Sequence, residues 1–262
     1  EYTVSRGEAL NGKILSSLLG AVFIDASEVI QIDEHGKVDP KTYHNVREKC
    51  SHIDMLFVIP GFYGKNVDGG IALFSRGGAD VTGAVVSSAL EVELYENWTD
   101  VSGFLLTDPR IVPQADTVKE ITYQELRELA FWGAEVLHVD TVSSVREKGI
   151  PINIRNTNRP QDSGTMIVPS RECFTQRIVG ISGRQRLSAI IVEKDMMREN
   201  LDFLNNILHL LTEMKINYEH IAMSVDTVTI LIKDAELEKI KENFVKNLNM
   251  INSRKVSFYN GL

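Results

Sequence analysis

Two polar, glycine-containing turns, at residues 75–80 and 99–103, carry residue types that could bind an anionic or zwitterionic ligand. In the first turn, Arg76 precedes a pair of glycines. Paired glycines let a backbone approach a ligand closely, and an arginine offers a bidentate positive charge. Asp80 could cap the helix that follows, whose N-terminus would favour anions. Two ordinary connecting loops would explain the same residues equally well.

The elements between these turns must position them. Residues 81–90 are small and apolar and predict a helix, and residues 92–98 alternate in character as in a strand. The resulting order of turn, helix, strand and turn is the second half of a βαβ unit. Ligands of such units bind outside the carboxyl ends of the strands.

This stretch resembles the aspartate kinases, which are members of the amino-acid kinase family. Those enzymes carry R-G-G-S-D and W-T-D-V-x-G-x-x-x-x-D-P-R motifs at this separation. Here the first motif runs from Arg76 to Asp80, with Ala79 in place of serine, and the second runs from Trp98 to Arg110. The S-x-G-E motif of the family is matched near the start of the chain, where Glu8 is its last residue.

The resemblance implies transfer of the γ-phosphoryl group of ATP to the β-carboxylate of L-aspartate, giving 4-phospho-L-aspartate. This is the first step of lysine, threonine and methionine biosynthesis. A carboxylate is already ionised at neutral pH, so the reaction needs alignment and charge compensation rather than a general base. Mg²⁺ is expected with ATP, held mainly by phosphates and water rather than by a protein metal site.

The resemblance also assigns roles to individual residues. Arg76 and Asp80 are the expected catalytic residues, the first pairing with the substrate α-carboxylate and the second orienting cationic groups. The expected substrate-binding residues are Glu8, which would hold the ammonium group, with Arg76, Gly77, Gly78 and Asp80. The expected nucleotide-binding residues are Thr99, Asp100 and Arg110.

The chain departs from the family pattern in its positive charges. The K-F-G-G-[ST] segment, whose lysine neutralises the transferring phosphate, does not occur in it. We therefore expect the N-terminal part of the kinase domain to be missing and the isolated chain to be inactive. Glu135 stands where some members carry a lysine, and Arg155 could supply the missing charge to the nucleotide.

The fold class implied by the resemblance is α/β. It is a three-layer sandwich with a mostly parallel sheet over residues 1–168, a linker at 169–179 and a ferredoxin-like ACT domain at 180–262. The residue pattern agrees, because strands and helices alternate up to Val168 and a βαββαβ order follows. Helices are predicted at 5–20, 39–54, 81–90, 122–131, 134–148, 201–214 and 237–248. Strands are predicted at 22–25, 29–32, 55–59, 92–98, 151–155, 165–168, 187–192, 218–224, 227–232 and 255–259.

The ACT-like half predicts feedback regulation by lysine, threonine or methionine. By similarity, the effector pocket would involve Met197, Glu219, Ser224 and Asp226, although ordinary loop and strand-end residues would look the same. Family members usually carry two ACT units, and one is visible here. A homodimer or higher homo-oligomer is expected, because a lone βαββαβ unit leaves a sheet edge exposed.

Bulk properties exclude several other classes of protein. The formal net charge of −8 argues against a nucleic-acid partner, because phosphate contacts need clustered lysines and arginines. No apolar run is long enough to span a membrane. Cys50 and Cys173 are far apart and outside any metal-ligand pattern, which is typical of a reducing cytoplasm.

Two alternatives to an aspartate kinase stay open. One is another amino-acid kinase, acting on acetylglutamate, glutamate or uridylate, which the ACT-like half and the motif ending at Glu8 disfavour. The other is a non-catalytic amino-acid-sensing subunit, which the absence of the lysine segment favours.

Overall fold

The computed structural model describes residues 1–50, 54–74, 77–134, 143–171, 178–196, 201–250 and 253–261. The chain divides into two compact units, residues 1–183 and residues 184–262. The first unit contains two hydrophobic cores and the second contains one, and each unit is described by itself. No described helix has the length and apolarity needed to cross a membrane.

The first unit begins with a long helix that buries one narrow face. Four small residues line that face, Ser5, Ala9, Gly12 and Ser16, and the helix ends at Gly20 in the left-handed conformation. The elements of this half are α1 (Tyr2–Leu19), β1 (Val22–Phe23), α2 (Ala26–Val29), α3 (Lys41–Cys50), β2 (Phe57–Val58), β3 (Tyr63–Lys65), β4 (Ile71–Leu73) and α4 (Gly78–Leu90).

The rest of the first unit is built on a four-stranded sheet. Its elements are β5 (Tyr95–Thr99), β6 (Glu120–Thr122), α5 (Tyr123–Phe131), α6 (Ser143–Glu147), β7 (Ile152–Asn156) and β8 (Thr165–Val168). The strand order is β5-β7-β8-β6, in which the outer pairs are parallel and the central pair is antiparallel. β1 and β2 form a separate parallel pair, and β3 and β4 form a hairpin.

Helix α4 lies between the two cores of the first unit. Ala84 packs into the core under the four-stranded sheet, whereas Val85 and Ala89 pack into the core formed by α1 to β4. Gly83 allows the contact with β5, because a Cβ there would lie 2.6 Å from the Tyr95 hydroxyl oxygen. The small residues of α4 therefore let one helix serve two layers.

Several predictions for the first unit were wrong in detail. The strand predicted at 29–32 is reduced to isolated bridges at Gln31 and Ile32, since a turn of helix capped by the Asp25 side chain runs through Val29. Of the helix predicted at 134–148, the described part is Ser143–Glu147, and Ala134 instead donates its N–H to the last turn of α5. Strand β6 was missed. The capping box of Thr122 with Glu125 is confirmed.

The first unit extends beyond the predicted start of the linker. The Ile181 N–H donates to the Leu106 carbonyl at 2.7 Å, and Gly180 lies directly against the Leu129 side chain. These contacts place the segment up to Gly183 with the first unit. Residues 172–177 lie outside the described part of the chain.

The second unit has the predicted βαββαβ order. Its elements are β9 (Leu187–Glu193), α7 (Leu201–Glu213), β10 (His220–Met223), β11 (Thr227–Lys233), α8 (Asp234–Met250) and β12 (Lys255–Tyr259). The strand order is β10-β11-β9-β12 with every pair antiparallel, which is the ferredoxin-like arrangement. Both helices cover one face of this sheet, where Phe203 and Phe244 are buried among aliphatic side chains.

Candidate ligand-binding site

Helix α4 begins at a pair of glycines, and the structure requires glycine at each position for a different reason. Gly77 is the N-cap residue in the left-handed conformation, with φ of 58°. Gly78 is buried, and a Cβ there would lie 2.9 Å from the Phe62 Cα and 3.0 Å from the Phe74 Cβ. The pair thus brings the first turn of α4 tightly against the loop after β2.

Asp80 lies in the first turn of α4 and does not cap it, contrary to the prediction. Its carboxylate instead accepts a hydrogen bond from the Asn97 amide on β5, with 2.8 Å between nitrogen and oxygen. The same amide nitrogen donates to the Tyr95 hydroxyl at 3.1 Å. Burial, together with the nearby Asp80 charge, raises the pKa of the Tyr95 hydroxyl despite that hydrogen bond. Asp80 is therefore fixed against the middle of β5.

The loop of residues 60–62 joins α1 to α4. On one side, Pro60 lies against α1, 3.1 Å from the position of a Cβ at Gly12. On the other side, Gly61 lies against Ala79, whose Cα would be 2.8 Å from a Cβ at Gly61. Glu8 is exposed, one turn before Gly12 on α1. The loop is thus in contact with α1 at Gly12 and with the first turn of α4 at Ala79.

A polar cluster holds the start of α1 beside the carboxyl end of β1. The Asp25 carboxylate accepts hydrogen bonds from Ser27 and from the Tyr63 hydroxyl, the latter at 3.0 Å, and the Arg6 guanidinium is 3.9 Å away. Burial alone would raise the pKa of the Asp25 carboxyl, but these hydrogen bonds and the Arg6 charge outweigh it and lower that pKa. Burial and the Asp25 carboxylate raise the pKa of Tyr63 to about 12.

The second polar turn is braced by the neighbouring parallel strand. The Thr99 carbonyl accepts from the Thr157 N–H at 2.8 Å and from its hydroxyl at 3.0 Å. Ser102 donates to Asp162 at 2.7 Å and accepts from the Asn156 amide at 2.9 Å. The loops after β5 and β7 are thereby joined, and the Asp100 side chain is left exposed at this edge.

The three arginines predicted for the site differ in their surroundings and in whether the structure describes them. Arg155 stacks on the Trp98 ring, pairs with Glu96 at 3.2 Å and donates to the Pro160 carbonyl at 2.7 Å. Its charge is thus already occupied on the other face of β5. Arg110 is exposed and pairs with Asp108 at 2.7 Å. Arg76 lies outside the described residues, as does Glu135.

The predicted effector residues do not form one cluster. Glu219 precedes β10 and pairs with Arg184 and Lys233. Ser224 and Asp226 lie at the opposite end of that strand, in the turn before β11, where Asp226 accepts from the Met196 N–H at 3.1 Å. A four-residue strand separates the two ends by roughly 13 Å. Met197 lies outside the described residues.

Sequence reasoning missed Asn97 and the Arg6–Asp25 cluster. Asn97 stood inside the second motif without an assigned role, although alternation along β5 would have placed it on one face with Tyr95 and Thr99. The sequence could not reveal the partners of Asp25 in this cluster, because Tyr63 is 38 residues away.

A cavity of about 530 Å³ opens beside α5, away from the residues predicted for the site. Thr122, Leu129 and Pro169 line it, together with Glu125 and Arg171, which form an ion pair with each other.

Within the described ranges, no group of three or more His, Cys, Asp and Glu residues could hold a metal ion.

Comparisons with known proteins agree with these features. The model of the amino acid kinase family matches residues 1–156. Aspartokinase 3 of Bacillus subtilis is 33% identical over 211 residues, covering 80% of this chain and 46% of that protein. The chloroplastic aspartokinase 1 of Arabidopsis thaliana is 28% identical over 251 residues, covering 90% of this chain and 44% of that protein. The chain thus spans about half the length of these relatives.

Solved structures show the same fold. The Clostridium acetobutylicum aspartate kinase superposes with a TM-score of 0.85 at 41% identity, covering 99% of this chain and 60% of that one. E. coli aspartokinase III, in complex with lysine and aspartate, superposes with a TM-score of 0.70 at 22% identity over 98% of this chain and 60% of that one. The predicted α/β fold and the resemblance to aspartate kinases are both confirmed.

Proposed function

Because the chain belongs to the amino acid kinase family, we propose that it provides the substrate-binding part of an aspartate kinase. This enzyme transfers the γ-phosphoryl group of ATP to the β-carboxylate of L-aspartate in amino-acid biosynthesis. The observation that carries the proposal is the N-terminus of α4, where the glycine turn at Gly77 and Gly78 is followed by an Asp80 carboxylate that Asn97 holds in place.

The aspartate site combines charges of both signs. Glu8 and Asp80 offer carboxylates to the substrate ammonium, and Arg76 offers a guanidinium fork to its α-carboxylate. The N–H groups of the first turn of α4 favour the anionic end of the ligand. The reacting β-carboxylate is ionised at neutral pH and needs no base.

The nucleotide is proposed to bind at the braced loop after β5. Thr99 and Asp100 lie at its start. Arg110 lies further along the same connection, between Phe104 and Val118, which are joined by a backbone hydrogen bond. Arg155 receives no nucleotide role here, because Glu96 and the Pro160 carbonyl occupy its guanidinium. Mg²⁺ bound with ATP would supply charge neutralisation on the phosphates, with Asp100 as the exposed carboxylate on this loop.

The second unit is proposed to carry feedback regulation by an amino acid, and the assembled protein to be a homo-oligomer acting in the cytoplasm. The ferredoxin-like arrangement supports a small-molecule module. Since the predicted effector residues separate to the two ends of β10, we propose the end near Asp226 and Lys194 for the effector. There the Asp226 carbonyl accepts from the Lys194 N–H at 2.9 Å.

Calorimetric titration tests the proposal directly. L-Aspartate, N-acetyl-L-glutamate and uridylate are each titrated into the chain, and ADP release is followed with Mg²⁺ and ATP added. We expect heat of binding with L-aspartate alone. Glu8→Gln, Asp80→Asn and Arg76→Ala should each weaken binding about tenfold or more, because each removes a charged partner.

Glu93→Gln is the matched control, because it neutralises an exposed carboxylate beyond the other end of α4. Its affinity for L-aspartate should equal that of the unaltered chain. Binding of N-acetyl-L-glutamate or uridylate in preference to L-aspartate would assign the chain to another kinase of the family. L-Aspartate binding that none of the site variants weakens would contradict the proposed site and favour an amino-acid sensor.

A further inference from the structure

Asn97 occupies a position on β5 where a polar side chain is costly unless it is hydrogen-bonded. The residue is 9% exposed, reaches α4 through its bond to Asp80, and is aligned with the core residue Ile154 of β7. A buried amide without partners would destabilise the fold by about 1–3 kcal/mol. Asn97 avoids this penalty by donating to Asp80 and to Tyr95.

The two acceptors of the Asn97 amide differ in kind. The Tyr95 hydroxyl is enclosed against Gly83 of α4. The Asp80 carboxylate is half-buried in the first turn of α4, and the amide meets only its Oδ1 atom. Within the described part of the chain, no hydrogen bond is formed to Asp80 Oδ2. One oxygen is held by the sheet, and the other is available at the edge where the proposed ligand binds.

We propose that Asn97 is a positioning residue that sets the direction of the Asp80 carboxylate toward the ammonium group of a bound amino acid. Holding one oxygen removes the rotational freedom of the side chain, so that the other oxygen meets a cation without first being ordered. The consequence is selectivity for ligands with a free primary amine. This inference rests on the proposed function.

The proposal separates affinity for an amine from affinity for carboxylates. Succinate has the two carboxylates of L-aspartate and lacks its ammonium group, so it reports the carboxylate contacts alone. The ratio of the succinate Kd to the L-aspartate Kd is therefore the selectivity for the ammonium. If Asn97 had only a structural role, its replacement would weaken the binding of both ligands equally and leave this ratio unchanged.

The experiment measures both dissociation constants by calorimetry for the unaltered chain and for Asn97→Leu. We expect the selectivity ratio to fall about tenfold in Asn97→Leu. Asn97→Thr, which retains a hydroxyl donor and suits a strand, should recover part of the ratio. Asn153→Leu is the matched control, because Asn153 is aligned with Glu96 on the neighbouring strand and so lies on the opposite face from Asn97.

A second background tests whether Asn97 acts through Asp80. In Asp80→Ala, we expect the further change Asn97→Leu to leave the ratio unchanged, because the carboxylate that it orients is gone. If circular dichroism shows that Asn97→Leu is unfolded, Asn97→Thr replaces it. The selectivity ratio is then compared between Asn97→Thr alone and Asn97→Thr combined with Asp80→Ala. An unchanged ratio in a folded Asn97 variant overturns the positioning role while leaving the aspartate site in place. An unaltered chain that binds L-aspartate no better than succinate overturns the proposed function, and the inference with it.

Discussion

The two units of the molecule bury different kinds of residue. The cores of the first unit contain hydrogen-bonded polar side chains, among them Thr42, Thr82, Asn97, Asn156 and Thr165. In the described residues of the second unit, Ser188 is the buried polar residue, and the core is otherwise aliphatic and aromatic.

Three of the buried polar side chains of the first unit connect its sheet to neighbouring segments. Thr165 accepts from the Phe104 N–H at 2.7 Å, Asn156 donates to Ser102, and Asn97 donates to Asp80. Each of these bonds joins a strand of the sheet to a loop or helix end at its edge. The difference teaches that the first unit uses several buried polar groups to hold loops and a helix end at the edge of its sheet. The second unit, where buried Ser188 bonds to Asp234, is stabilised mainly by apolar packing.

The largest effect should come from the apolar core of the second unit. Phe244→Ala removes a fully buried ring on α8, and we expect it to lower the free energy of unfolding by about 3–5 kcal/mol. Urea denaturation monitored by circular dichroism measures this change. Tyr218→Ala, at a side chain that is 49% exposed, should change stability by no more than about 0.5 kcal/mol. Equal losses for the two variants would contradict the apolar-core account.

The second-largest effect on stability is expected from the close backbone packing at the start of α4. Gly78→Ala places a Cβ 2.9 Å from the Phe62 Cα, and we expect a loss of about 1–3 kcal/mol from overpacking. Gly7→Ala is the control, because nothing lies within 4 Å of its Cβ position on α1. That variant should gain about 0.5–1 kcal/mol from helix propensity. A Gly78→Ala chain as stable as Gly7→Ala would show that the contact with the loop is loose.

Buried hydrogen bonds give the sharpest contrast between the units. Thr165→Val preserves shape but removes a hydroxyl that is bonded to Phe104 and Val118, and should cost about 1–3 kcal/mol. Thr229→Val makes the same change on β11, where the hydroxyl forms no hydrogen bond within the described residues. We expect that variant to be neutral within about 0.5 kcal/mol. Thermal unfolding of both variants checks the prediction, and a reversed order would remove the distinction between the units.

The smallest effect should be the acid dependence of the Asp25 cluster. The folded-state pKa of Asp25 is lowered, so its carboxylate stabilises the fold above the ordinary pKa of about 4. That contribution is lost as the pH falls through the lowered value. Asp25→Asn should therefore be less stable than the unaltered chain near neutral pH, with the difference shrinking in acid. Denaturant titrations at several pH values measure this, with the exposed Asp54→Asn as control. A difference that grows in acid would give the wrong sign.

The same division governs what the sequence could reveal. In the second unit, the hydrophobic period alone predicted the order of elements, and the strands at 227–232 and 255–259 agree closely with β11 and β12. Apolar packing dominates there, and it requires apolar residues at regular intervals in the sequence, which can be recognised. The grouping of Glu219 with Asp226 in one effector pocket stays a prediction. The structure places the two residues at opposite ends of β10, which strand bounds alone do not reveal.

In the first unit, local patterns were less informative than motifs. The strand predicted at 29–32 is shortened to bridges at Gln31 and Ile32 because Asp25 caps a helical turn through Val29, and that carboxylate is held by the distant Tyr63. Short strands such as β1 and β2 give weak periodic signals. The turn at Gly77 was recognisable, but the Asp80 partner was not, because the bond to Asn97 crosses from helix to strand.

Hydrogen–deuterium exchange with added L-aspartate tests the central claim most directly, because it reports both units in one experiment. The account predicts slower exchange in peptides covering residues 77–81 and 95–103, since ligand binding should order the α4 N-terminus and the loop after β5. Peptides covering residues 219–227 should be unaffected by this ligand. Protection confined to residues 219–227, with none at the α4 N-terminus, would contradict the claim that the first unit holds the aspartate site.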